Sequence, residues 1–308
     1  MSEGRWAFMF AGQGSQSSGM GKDLYDTYES AYQTFKQADR TLSYKLSEIC
    51  FEGDAETLKQ STYCQPAIFT TSLACLGAMQ EETSVKPVVC GGLSLGEFSA
   101  ARAAGVVSFE DGLGLVQKRG ELMEKACRET EGAMAAVLKA EQSTVEEVCR
   151  NNDVDVANFN CPGQIVISGE KKKIENAVLD LKQAGFSKTV PLEVDGAFHS
   201  RLMQSAADQF REILAETNFH EPQCELVQNY AGDAVSDPDS IRSNFEKQIS
   251  GSVRWEDCIR TMLNRDIDCL IEIGPGKVLS GFMKRIDRKF PVYNVETSDD
   301  LDNLAEIL

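Results

Sequence analysis

Histidine is nearly absent from this chain: His199 and His220 are the only two in 308 residues. Any proton-transfer chemistry that needs an imidazole must use one of them. Paired cysteines are missing too. The ten cysteines stand far apart, with Cys64 and Cys75 among the nearest, so no C-x-x-C exists to start a zinc site. They read as small buried apolar residues of a reducing compartment, with no metal expected. Basic charge is scarce, at 31 Lys and Arg against 48 Asp and Glu and a net charge of -17, which argues against a nucleic-acid partner. No apolar run approaches bilayer length, since Ala133–Leu138 and Cys269–Ile273 are among the longest. The N-terminus also lacks a basic flank followed by a signal-type apolar run. A cytoplasmic protein without a membrane partner is expected.

What the chain does have is enough apolar content, 42%, for a large core in one extended domain or two. Apolar runs that read as strands alternate with helical ones: Trp6–Phe10, then a helix around Pro66–Met79, Val88–Cys90, and an alanine-rich helix after Ser94. This is α/β grammar. From about Gly132 to Val194 the rhythm becomes strand, helix, strand, strand, helix, strand. Ala133–Lys139 opens it, a capping box at Ser143-x-x-Glu146 starts the first helix, and Val154–Phe159 with Ile165–Ser168 makes a hairpin around Cys161-Pro162-Gly163. Ile174, Ala177, Val178, Leu181 and Ala184 recur at helical spacing, and Lys188–Val194 alternates as an edge strand does. That order is ferredoxin-like. The α/β pattern resumes with a strand at Asp268–Ile273, a helix at Lys277–Arg285 and a last strand at Phe290–Val295. The expected fold is a hydrolase-like α/β core with a parallel sheet, residues 1–129 and 197–308, carrying an inserted ferredoxin-like small domain, residues 130–196.

Gly92-Leu93-Ser94-Leu95-Gly96, straight after the apolar run at Val88–Cys90, has the G-x-S-x-G pattern of a nucleophile elbow. The tight strand-to-helix turn lifts the Ser94 hydroxyl clear of the backbone, and the helix start with the Leu95 amide favours negative charge on a carbonyl under attack. A glycine-rich turn that merely ends a strand would show the same five residues. The base for such a serine is His199, in the glycine-bearing turn Asp195-Gly196-Ala197-Phe198-His199-Ser200 where the insertion hands the chain back, because clefts form at such seams. His220 sits in a polar turn, Asn218-Phe219-His220-Glu221-Pro222, and is expected at the surface.

Arg119 stands out by periodicity. In the helix starting near Ser108-x-x-Asp111, the apolar half carries Leu113, Leu115, Val116, Gly120, Leu122 and Met123, and Arg119 falls inside it. Lys118, Glu121 and Lys125 lie opposite. A buried guanidinium must meet an anion: either a ligand carboxylate, which its planar fork suits, or an internal partner such as Glu272. Gly12-Gln13-Gly14-Ser15-Gln16 follows the first strand but fails as a dinucleotide loop, because Ser17 replaces the third glycine. Its amides could instead serve as a second oxyanion donor.

Together, Phe10–Gln16, Gly92–Glu97, Gln117–Gly120, Gly132–Ala136, Pro162–Gln164, Gly196–Ser200 and Glu272–Leu279 closely resemble one family, in order and spacing, from about residue 6 to residue 286. It is that of the malonyl-CoA:acyl carrier protein transacylases of fatty acid synthesis. The resemblance implies Ser94 as nucleophile, His199 as base, Arg119 on the malonyl carboxylate, and the amides of Gln13 and Leu95 on the oxyanion. It implies that the backbone carbonyl of Gln248 orients the histidine, that Asn160 lies near the pocket, and that Phe198 follows a malonyl-selective pattern. Malonyl-CoA and acyl carrier protein are the implied partners, with no cofactor and a monomeric chain. Carrier proteins are acidic as a class, so Lys277, Lys284, Arg285, Arg288 and Lys289 are candidates for a docking patch, or simply a solvated helix face. Leu93, where the family commonly has histidine, and Phe159, in Asn158-Phe159-Asn160-Cys161, depart from the pattern and bear on pocket shape. A serine esterase would share the elbow but needs an acidic residue between serine and histidine. A non-catalytic subunit of the same fold would form no acyl-enzyme.

Overall fold

The central strand of this fold is five residues long and almost entirely sequestered, as a strand covered on both faces must be. The computed structural model describes residues 4–192, 194 and 196–306. From the N-terminus it runs β1 (Trp6–Phe10), α1 (Lys22–Thr27), α2 (Glu29–Thr41), α3 (Leu46–Glu52), α4 (Ala55–Lys59), α5 (Ser61–Glu82), β2 (Pro87–Gly92), α6 (Gly96–Ala103) and α7 (Phe109–Glu129). A second block follows, β3 (Gly132–Leu138), α8 (Gln142–Asn152), β4 (Asp155–Cys161), β5 (Gln164–Glu170), α9 (Lys171–Gln183) and β6 (Thr189–Pro191). The chain returns through a 3-10 turn at Arg201–Met203 into α10 (Gln204–Glu216), β7 (Glu225–Gln228), β8 (Asp233–Val235), α11 (Pro238–Ser250) and α12 (Trp255–Leu263). It ends with β9 (Cys269–Ile273), α13 (Val278–Ile286), β10 (Val292–Val295) and α14 (Ser298–Ala305).

Six strands form the large sheet in the order β10-β9-β1-β2-β7-β8. All its pairings are parallel except β7 with β8, so the expected parallel sheet carries one antiparallel edge. Phe10 pairs with both Gly92 and Ile273, which brings the carboxyl ends of β1, β2 and β9 to one edge. Open α/β sheets bind ligands there. Helix α5 is apolar on all sides and buried along most of its length, the pattern of a core helix.

The second sheet has the order β4-β5-β3-β6, every pair antiparallel, which is the ferredoxin-like arrangement. Side chains alternate along β3. Ala135 and Val137 pack with Val145, Ile174 and Leu181 of α8 and α9, whereas Met134 and Ala136 share the other face with Ala157, Val166 and Phe198. The block leaves and returns through a narrow neck: a Cβ on Gly132 would lie 2.6 Å from the backbone nitrogen of Ala197.

Local readings needed correction in places. The Ser143–Glu146 capping box does not form: α8 begins at Gln142, so Ser143 lies inside it, its hydroxyl on Glu141, while Glu146 accepts from Gln142 one turn back. The edge strand expected over Lys188–Val194 is β6, three residues long, and Glu193 and Asp195 lie outside the described residues. The hairpin strand read as Val154–Phe159 continues to Cys161. At Ser108 the cap is present, its hydroxyl accepting from the Asp111 amide at 3.0 Å.

Candidate active site

The site is built on the turn from β2 to α6. Ser94 takes the left-handed backbone conformation, φ 51°, that lets its side chain leave the turn. Its flanking glycines are needed for close approach rather than for φ. A Cβ on Gly92 would lie 2.0 Å from the carbonyl carbon of Gly96, and one on Gly96 would lie 2.2 Å from the carbonyl oxygen of Phe10. A strained residue of this kind costs about 1–3 kcal/mol and persists only where its surroundings hold it. Asn229, just after β7, does so: its Oδ1 accepts the Ser94 amide at 2.6 Å and its Nδ2 donates to the Gly92 carbonyl at 2.8 Å.

His199 meets Ser94 from the far side of the neck. Its Nε2 lies 2.8 Å from Ser94 Oγ, and its Nδ1 lies 2.8 Å from the backbone carbonyl of Gln248, in α11. A carbonyl can only accept, so Nδ1 carries the proton and Nε2 is free to accept the serine hydroxyl. Among the described residues no carboxylate is bonded to Nδ1, the place an esterase triad would give it. His199 also has positive φ, 55°, and Arg201 anchors the turn by gripping Asp155 of β4 with its amide at 2.8 Å and its guanidinium at 2.7 Å.

Burial, reinforced by the Arg119 charge, pulls the imidazole down to about 3, against the Gln248 hydrogen bond. A depressed value means that the ring gains its proton only far below neutrality. The expected result is that the His199 imidazole NMR signals, assigned with a His220→Gln variant, keep their neutral-state positions from about pH 8 down to about pH 5. Movement centred near the ordinary histidine value would refute a desolvated base.

Arg119, 1% exposed, is where the helical period of α7 placed it. One terminal nitrogen donates to Ser94 Oγ at 3.0 Å and to Gln248 Oε1 at 2.9 Å, and the other to Gln65 Oε1 of α5 at 2.8 Å. The Phe98 ring centroid lies 5.6 Å from the guanidinium carbon. Burial pulls this group down to about 10 while Glu97 acts the other way, so it stays charged at neutral pH. Glu272 is not its partner. That carboxylate accepts from the amides of Leu279 and Ser280, the Ser280 hydroxyl and Asn294, holding the start of α13 instead.

The other sequence candidates divide. Gln13 follows β1, with its side chain on Ser61 at 3.3 Å, and Leu95 is buried beside Ser94. Among the described residues neither backbone amide donates to a protein acceptor. The two loops touch, since a Cβ on Gly12 would meet the Leu93 carbonyl oxygen at 2.4 Å. Asn160 is buried near the end of β4 with its Oδ1 unpartnered, and it makes no hydrogen bond to Ser94, His199 or Arg119. Phe198 packs half-buried on the inner face of the small sheet. Leu93 and Phe159 are half-buried against separate apolar clusters. His220 is exposed, its amide on the Val106 carbonyl. Gln65, Glu97, Gln228 and Asn229 were not singled out from sequence. Only Gln65 offered a signal, as a polar residue inside an apolar helix.

The family described as Acyl transferase domain matches residues 7–295. A malonyl CoA-acyl carrier protein transacylase of Bacillus subtilis (strain 168) is 41% identical over 307 residues, 98% of this chain and 96% of that protein. The crystal structure of MCAT from Streptococcus pneumoniae superposes with a TM-score of 0.95 at 40% identity, covering 99% of this chain and 100% of that one. A malonyl-transacylase solved in complex with a type II PKS acyl-carrier protein superposes with a TM-score of 0.95 at 34% identity, covering 99% and 100%. On the match to most of its length and to full-length relatives of one kind, this chain belongs to the acyl transferases, within the family of malonyl CoA-acyl carrier protein transacylases.

Proposed function

We propose that this enzyme moves the malonyl group of malonyl-CoA onto the phosphopantetheine thiol of acyl carrier protein through an ester on Ser94. One oxygen carries the reading: Ser94 Oγ is held 2.8 Å from a neutral imidazole nitrogen and 3.0 Å from a buried guanidinium. His199 Nε2 takes the hydroxyl proton as Oγ attacks the thioester carbonyl. The tetrahedral intermediate collapses, the carbon–sulfur bond breaks, and the coenzyme A thiol leaves with that proton. The carrier thiol then gives its proton to His199, attacks the ester and returns Ser94 to its hydroxyl form. The amides of Gln13 and Leu95 receive the oxyanion in both steps, each lowering the barrier by about 3 kcal/mol. A malonyl carboxylate stands two carbons beyond the acyl carbon on Oγ, within the reach of a guanidinium that already touches Oγ. No cofactor or metal enters the scheme.

The test is intact-protein mass spectrometry after brief exposure to malonyl-CoA, with acetyl-CoA in parallel, followed by carrier protein. A malonyl adduct that carrier protein discharges is expected. No adduct with either donor would favour a non-catalytic subunit, and preferential acetyl loading would remove the role given to Arg119.

We read the enzyme as a cytoplasmic monomer. Among the described residues no helix is long and apolar enough to cross a membrane, and no disulfide joins any of the ten cysteines, all but Cys127 and Cys224 of which are buried. Lys277, Lys284, Arg285, Arg288 and Lys289 are exposed on and around α13, whose other side, Leu279, Phe282 and Met283, is buried. Such a patch suits an acidic carrier on a chain of net charge -17. Reversing charge at Lys284 and Arg285 should raise KM for carrier protein alone, and an unchanged KM removes the patch from docking.

A further inference from the structure

Beneath the elbow lies a carboxylate with no part in the reaction just described. Glu97, in the first turn of α6, is wholly buried and makes no direct ion pair among the described residues. Its Oε1 accepts from Gln228 Nε2 at 3.0 Å, and its Oε2 accepts from the Asn229 amide at 2.6 Å and from Gln248 Nε2 at 3.1 Å. Two of these groups are committed donors. The Asn229 contact is a backbone N–H, and Gln228 also donates to the Ile241 carbonyl while its oxygen accepts from Asn244.

Gln248 sits between this carboxylate and Arg119. Its Nε2 faces three acceptors, Glu97, the Ser94 carbonyl at 3.0 Å and Asn229 Oδ1 at 3.5 Å, so its Oε1 must face the Arg119 guanidinium, where it accepts at 2.9 Å. An amide in such a place is oriented by its neighbours alone. We propose that Glu97 is a positioning residue that sets acyl selectivity: by fixing which way the Gln248 amide faces, it holds Arg119 where a free carboxylate on the acyl group can be gripped.

The inference rests on the malonyl-transfer reading and deepens it. A neutral amide at position 97 would bring N–H donors into a ring of three donors. Gln248 is the member that can relieve the clash by turning over, and it would then aim an N–H at Arg119. The negative charge of Glu97 also opposes the pull of burial on that guanidinium.

The experiment compares kcat/KM for malonyl and acetyl transfer to carrier protein in the wild type, Glu97→Gln, Gln248→Met and the double variant, with thermal unfolding alongside. Misplacing a binding group by an ångström can cost about 100-fold. Glu97→Gln should therefore lower malonyl transfer by roughly 30-fold and acetyl transfer by about 3-fold or less. Gln248→Met should give the same split, and the double variant should be no worse than the poorer single one, as a shared path requires. Equal losses for both acyl groups, or independent losses that multiply, overturn the proposal. If Glu97→Gln fails to fold, the split in Gln248→Met decides by the same criterion. A wild type that accepts no malonyl group removes the transfer reading and this role together. A wild type that transfers malonyl, with variants showing no split, removes only the role of Glu97.

Discussion

Ser94→Ala should leave a folded protein that forms no acyl adduct, with malonyl transfer reduced by roughly 10⁵-fold or more. The substitution deletes one oxygen and keeps the Cβ, so the backbone at φ 51° meets no new group. The Asn229 bridge to the residue 94 amide and the Gly92 carbonyl is untouched. What is lost is the atom that bridges His199 Nε2 and Arg119. Intact mass after exposure to malonyl-CoA reads the result directly, and circular dichroism verifies the fold. An adduct that persists on the variant would assign the ester to another residue and dissolve the triad of Ser94, His199 and the Gln248 carbonyl.

Arg119→Ala should invert selectivity. Charge-assisted hydrogen bonds contribute about 1.5–3 kcal/mol each, so malonyl loading should fall by roughly 100-fold. Acetyl loading, which gives the guanidinium nothing to grip, should fall far less. Stability should drop as well, by about 3 kcal/mol, because Gln65 Oε1 and Gln248 Oε1 lose their donor and Glu97 loses its nearby cation. Burial already pushes that carboxyl up to about 7, so without Arg119 it shifts further toward its neutral form. Parallel loading with the two thioesters and a thermal melt measure both effects. Full malonyl preference in the variant would show that Arg119 does not bind the acyl carboxylate.

Much of this site could be read along the chain, because its makers leave local marks. The elbow is a contiguous strand, turn and helix; His199 was found by scarcity; and the 21 residues of α7 sustain a period long enough to show one charge on the wrong face. The small sheet was legible because each of its longer elements has its own period. What stayed hidden lacks any such mark. The orienting group on His199 is a backbone carbonyl, which has no side-chain identity, and only the family resemblance pointed to Gln248. Glu97, Gln228, Asn229 and Gln248 come from separate stretches and meet only after folding. Strands β7 and β8 are too short for alternation to register. Arg119 shows the limit from the other side: its burial followed from sequence, but its neighbours did not, because Glu272 was the internal partner sequence offered and folding brings Gln65 and Gln248 to the guanidinium instead.

The neck at Gly132 and Ala197 bears on how the chain comes together. Cys90 of β2 and Leu226 of β7 are paired neighbours, yet more than a third of the protein lies between them. Roughly half of that intervening chain belongs to the block beyond the neck, and once its two ends touch it no longer counts toward the loop that this pairing must close. Closure entropy grows only with the logarithm of loop length, so halving the loop spares about 0.6 kcal/mol. The insertion therefore adds a second sheet that holds Phe198 and Arg201 on either side of His199 while leaving the entropy of assembling the large sheet nearly that of a chain without it.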